Sequence, residues 1–285
     1  MDVTSTVLDG VFCLLLISAA VVTVTTATPQ EPAGAGRAAD VASTLATTTA
    51  TVNYTLTPRP DATGVPLPTN RNAFDRTAHG TLAGLLARAA VGRLSVDGRR
   101  LSHARGGFSR AVVRAVGAAV RTNHTRITAV WQPYPDASVG GRVAVGGHPP
   151  PDVPVHTATI AASSGLPSKR SAVRTAAREE GIEGVADAVA KGIVDGLFPP
   201  TRTRIAAGGR ASALVRHRYR LAEHRFGVDG HATLTDGGVD DSNERLAAGL
   251  SDRVSRDLRE SNASARELAG RVRIGQVRIV VRTWP

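Results

Sequence analysis

The closing stretch RVRIGQVRIVVRTW, Arg271–Trp284, is the clearest strand signal in the chain. Apolar and polar residues alternate through it, as they do where one face of a strand is buried and the other is wet. Val272 and Ile274 share one face, whereas Val277, Ile279 and Val281 fall in the opposite phase. A β-bulge at Gly275-Gln276 would put all five on one side, and glycine tolerates such a bulge.

Working back from this strand, the same period of two recurs. Ile127, Ala129 and Trp131 alternate with Arg126, Thr128 and Val130, a short strand is expected at Val143–Val145, and Val153–Ala161 alternates again. Ala46, Thr48, Ala50, Val52, Tyr54 and Leu56 also alternate, predicting a further strand. Between these lie segments of helical spacing: Thr77–Leu94, Ser109–Arg121 with Ser109 as N-cap, and a long stretch from Pro167-Ser168 to Pro199-Pro200. Ala211–Phe226 and Asp241–Leu268 follow, the latter opening on Asp241 and Glu244 in capping-box spacing. Helices and strands in mixed order, without regular βαβ alternation, predict an α+β fold with a mainly antiparallel sheet.

Ahead of this domain, Gly10–Ala27 is an uncharged run (GVFCLLLISAAVVTVTTA). As a helix it would reach about 27 Å, close to the thickness of a bilayer core. The first nine residues contain Asp2 and Asp9 and no Lys or Arg, so the basic start of a cleaved signal segment is missing. The expected organisation is a transmembrane helix within residues 1–27, a Pro/Ala/Gly-rich linker over 28–40 and an α+β domain over 41–285. A subdomain division would fall near 163–168. Asp9, at the mouth of the apolar run, is a candidate assembly charge.

Three Asn-x-Ser/Thr sequons, at Asn53, Asn123 and Asn262, use half of the six asparagines. They are candidate glycosylation sites and place the large domain outside the cytoplasm. Cys13 is the sole cysteine, which excludes an intramolecular disulfide and a cysteine metal cluster. No phosphate-binding loop, Gly-x-Ser-x-Gly elbow, Ser-x-x-Lys pair or His-x-x-x-His pair occurs, so no catalytic, cofactor or metal residue is assigned. No small-molecule substrate suggests itself.

The net charge of +11 rests almost wholly on arginine, since Lys169 and Lys191 are the only lysines. The densest basic run is RHRYRLAEHR, in which Arg216, Arg218, Arg220 and Arg225 form a candidate anion-binding set. Nucleic acid is disfavoured as the partner because the charge is spread along the chain, not gathered in a stripe. His217 and His224 on the same helix read as ordinary imidazoles, and Glu179, Glu180 and Glu183 as a solvated face beside Arg174 and Arg178.

The stretches GIEGVADAVAKGIVDGLFPPTRTR (Gly181–Arg204) and VRIGQVRIVVRTW (Val272–Trp284), with the start STVLDGVFCLLLISAA, resemble an uncharacterised haloarchaeal family. Its members are single-pass proteins encoded among pilin-like and type IV pilus-type secretion components. That resemblance implies a structural or assembly role at the cell membrane, with lipid and other envelope subunits as partners. The basic charge departs from the acidic surfaces usual in such organisms. Two roles follow as expectations: a membrane-anchored accessory or pilin-like component, and a membrane-tethered binding domain for an anionic partner. An extracellular hydrolase would need a pocket that sequence does not reveal.

Overall fold

The structure, a computed structural model, describes residues 35–58, 64–66, 74–101, 106–120, 123–228, 234 and 238–285. The apolar run Gly10–Ala27 and Asp9 lie outside the described residues. Among those described, no helix is long and apolar enough to cross a membrane.

The chain is a mixed helix and strand structure in which every strand pairing is antiparallel. The first element among the described residues is helix α1, Ala35–Thr47, which begins inside the segment expected to be linker and occupies part of the first expected strand. Ala38, Ala42 and Leu45 recur at helical spacing and are buried, which is why the helical period wins there. Strand β1 follows only at Thr49–Thr55 and pairs with β2, Asp75–Thr81. The residues of β2 read as the start of a helix in sequence, but pairing with β1 overrides that local preference. Thr81 then caps α2, Leu82–Gly92, accepting from the Gly84 N–H at 3.1 Å.

After α2 come the short strands β3, Ser95–Val96, and β4, Arg99–Arg100, then helix α3, Gly106–Val120. Ser109 therefore lies inside α3, not at its cap. Strands β5, Thr125–Trp131, β6, Val139–Val145, and β7, His156–Ser163, follow, and β8, Gln276–Thr283, closes the chain. They build a six-stranded sheet in the order β4-β3-β6-β5-β8-β7. Helices α1 and α2 pack against one face of it. Ile127, Ala129, Val143, Val145, Ile160, Val277, Ile279 and Val281 point into that contact. Gly141 lets β6 run hard against the Ala90 carbonyl of α2, where a Cβ would overlap the oxygen.

The phase change in Arg271–Trp284 is real, since Val272, Ile274, Val277, Ile279 and Val281 are all buried. Its cause is not a bulge. A turn, in which Gln276 N–H donates to the Arg273 carbonyl at 3.1 Å, precedes the strand and resets its phase.

The remaining helices pack mainly on one another: α4, Arg170–Glu179; α5, Gly181–Leu197; α6, Pro200–Ala207; α7, Ser212–Phe226; α8, Gly238–Glu260; and α9, Ala265–Arg271. The long helix expected after Ser168 is thus two, broken where Gly181 takes φ of 69°. Pro199-Pro200 ends α5 as expected, and Pro200 opens α6, where a missing N–H costs nothing. The expected Asp241 cap is interior to α8. The true capping box belongs to α9, where the Ser264 N–H donates to Glu267 at 2.9 Å and Ser264 Oγ accepts from the Glu267 N–H.

This helical group meets the sheet at the end where β8 begins. The buried Trp131 indole donates to the Ile274 carbonyl at 2.8 Å. Asp257 accepts from Tyr134 Oη and the Ser138 N–H, both at 2.8 Å, and Arg253 pairs with Asp97. Burial, together with the hydrogen bond and charge of Asp257, pushes the Tyr134 phenol well above its usual range. Deeper in the helices, Tyr219 Oη donates to Asn243 at 2.7 Å, Asn243 donates to the Phe198 carbonyl at 2.8 Å, and burial raises Tyr219 to about 12.

Candidate anion-binding surface

The arginines singled out by the run RHRYRLAEHR do not form one face. Arg216 is exposed on α7. Arg218 donates to the Leu197 carbonyl at 2.9 Å and lies 5.0 Å from the Phe198 ring centre. Arg220 approaches Glu223 at 3.9 Å, and Arg225 donates to the Arg100 carbonyl at 3.1 Å. Arg218 and Arg225 are spent on holding α7 to its neighbours, and Arg220 on a contact within α7 itself. His217 is buried and His224 exposed, and no group of metal-ligating side chains occurs among the described residues. Asp9 lies outside the described residues. Glu183 is exposed and paired with Arg259 of α8, not with Arg174 or Arg178 beside it in sequence.

Asn53, Asn123 and Asn262 are all exposed. Asn53 accepts from Thr77 at 2.8 Å across β1–β2, Asn123 offers its carbonyl to Arg37, and Asn262 has a φ of 52° between α8 and α9.

A different arginine set emerges from the sheet. An antiparallel sheet can leave one face in water, and strand alternation decides which side chains stand there. With Ile127, Ala129, Ile279 and Val281 turned toward α1 and α2, the opposite face carries Arg126, Arg142, Arg278 and Arg282. Arg142, Arg278 and Arg282 are exposed and Arg126 half-buried. Arg126 stands directly opposite Arg282, while Arg142 and Arg278 flank Val130 from either side. Two strand spacings separate Arg142 from Arg278, about 10 Å, and four residues separate Arg278 from Arg282, about 13 Å.

β5, β6, β7 and β8 contain no Asp or Glu at all. Among the described residues none of the four arginines has an ion-pair partner. Arg126 donates instead to the Gly146 and Gly147 carbonyls at 3.3 and 3.2 Å. Its guanidinium is held below the ordinary arginine value, first by desolvation and then by the positive charges of Arg142 and Arg282. In the middle of the set Thr128 is only 5% exposed, and its Oγ1 has no hydrogen-bond partner. A buried hydroxyl without a partner is costly, so it calls for an explanation. The remaining side chains of this face are uncharged: Val130, Ala144, Thr157, Thr159, Ala161, Ser163, Gln276 and Val280. No aromatic ring stands among them, so the face offers no platform for stacking bases.

The sequence contained the signal for this set. Arginine alternates with Val or Ile in RITAV, GRVAV and VRIVVR, but only pairing in register brings the three segments together. Two clefts are found among the described residues, and both fall below the volume usual for a ligand pocket. The larger, about 180 Å³, is lined by Ser168, Lys169, Arg170, Arg273 and Gln276, and Lys169 is already paired with Asp195 at 3.1 Å.

No curated protein and no solved structure matches the chain. Residues 8–284 match a family of unknown function, DUF7284, and the chain belongs to that family.

Proposed function

We propose that this protein is a membrane-tethered binding protein that holds an anionic partner on the open face of its sheet. The observation behind this reading is the set Arg126, Arg142, Arg278 and Arg282, which share one face of the sheet and have no ion-pair partner among the described residues. Like charges directly opposite one another destabilise a sheet, so an arrangement without a single compensating carboxylate is better suited to a bound anion than to the free fold. The tether is the apolar run Gly10–Ala27, with the domain outside the cytoplasm as the sequons suggest. The activity is binding, not turnover.

A second reading, an accessory or pilin-like component of a surface appendage or secretion apparatus, draws on α1. That helix starts only a few residues after the apolar run and packs on β7 and β8, so it would couple the anchor mechanically to the sheet. The two readings are compatible in one molecule.

The test is titration of the full chain in detergent with fluorescent polyglutamate, across salt from about 50 mM to about 500 mM. The wild-type chain binds and weakens steeply with salt, and replacing all four arginines by glutamine removes the binding. Binding that persists in that variant refutes the assignment to this face.

A further inference from the structure

We infer that the anionic partner is an extended acidic segment of polypeptide that adds itself as a strand to the free edge of β7. This rests on the anion-binding reading above and names the partner class.

Among the described residues β7 is the last strand of the sheet, pairing with β8 on one side only. Its register is unbroken from His156 opposite Thr283 to Ser163 opposite Gln276, with no bulge. Edge strands present a row of unpaired N–H and C=O groups, which proteins usually protect with Lys, Pro, a bulge or an inward charge. The segment HTATIAAS has none of these. It is eight residues long, enough to template a partner strand.

Charge selects the chemistry of the partner. On the open face Arg278 stands opposite Ala161 and Arg282 opposite Thr157. Both neighbours are small, so nothing bulky on β7 stops either guanidinium from extending over it toward the edge. A strand paired outside β7 would set side chains opposite Ala161 and Thr157, four residues apart on its own chain. Carboxylates at those two positions would meet Arg278 and Arg282, while main-chain hydrogen bonds fix the register. Nucleic acid fits less well, because the face has no ring on which a base could stack.

The experiment is amide hydrogen exchange on the full chain in detergent, with and without a Thr/Val-rich peptide bearing two glutamates four residues apart. Its controls are the same peptide with glutamines, inorganic polyphosphate, and phosphatidylglycerol vesicles. Strand addition slows every second amide of residues 156–163, those turned away from β8, by about tenfold or more at saturation. The glutamine peptide and polyphosphate leave those amides unchanged. Glutamate-peptide binding without protection in β7 overturns strand addition while leaving the arginine face as an anion site. Binding only to polyphosphate or vesicles overturns the acidic-polypeptide assignment. Binding to none of the probes overturns both readings together.

Discussion

Replacing Arg282 with glutamine should raise the stability of the free protein while weakening its hold on an anion. Arg282 is exposed, so truncating its charge sacrifices little packing, and it stands directly opposite Arg126 with no carboxylate on any neighbouring strand. Two unit charges about 6 Å apart in water repel by about 0.7 kcal/mol. Cross-strand like-charge pairs fall in the same range, about 0.2–1 kcal/mol. For a protein of this size that corresponds to a rise in Tm of about 1–3 °C. The assay is thermal unfolding of the wild-type and Arg282→Gln chains at low salt and at about 1 M salt, where the screening length is near 3 Å. The gain should appear at low salt and vanish at high salt. A loss of stability at low salt would mean that Arg282 is a structural residue, and the argument from uncompensated charge would fail. A gain that survives high salt would show a cause other than repulsion.

Three further substitutions probe the frame around the face. Asp257→Ala strands the buried Tyr134 hydroxyl and the Ser138 N–H, so the urea midpoint should fall by the equivalent of about 3 kcal/mol, and a loss under about 1 would show the clamp to be dispensable. Gly141→Ala drives a methyl into the Ala90 carbonyl and should cost about 3 kcal/mol by the same measure, whereas a neutral result would mean that β6 and α2 move apart freely. Burial holds His217 below the usual imidazole value, so the unfolded chain binds the extra proton. Stability is then full above about pH 6.5 and declines as pH falls through that value toward the folded one. His217→Gln should flatten this decline in denaturant midpoints taken at neutral and mildly acid pH, and parallel curves for the two chains would refute it.

Strands with strong alternation and β-branched residues were legible from sequence: Ile127–Trp131 and Val277–Val281 show their buried faces directly. Elements rich in Ala, Thr and Gly were not. Ala38, Ala42 and Leu45 form a helical stripe that starts inside the Pro/Ala/Gly-rich segment and ends just ahead of the alternating Ala46–Leu56, and packing on β7 and β8 is what carries the helix on to Thr47. β2 has little strand propensity of its own and exists because β1 pairs with it. The caps failed for a related reason. Asp241 and Ser109 have the right chemistry but sit where the helix is already under way, while Ser264 and Glu267 do the capping. The site was hidden because local density of arginine is a poor guide to a surface. The run around Arg218 is dense yet engaged, whereas Arg126, Arg142, Arg278 and Arg282 are far apart in sequence and meet only through register.

The most direct test of the central claim compares two variants of equal net charge. One replaces Arg126, Arg142, Arg278 and Arg282 with glutamine; the other does the same to Arg110, Arg114, Arg174 and Arg178, exposed on α3 and α4. Affinity for polyglutamate at low salt should fall by about a thousandfold in the first, as four contacts near 1 kcal/mol each imply, and by only a few-fold in the second. Equal losses would show that the protein attracts anions by its overall charge alone, and the open sheet face would have no special claim.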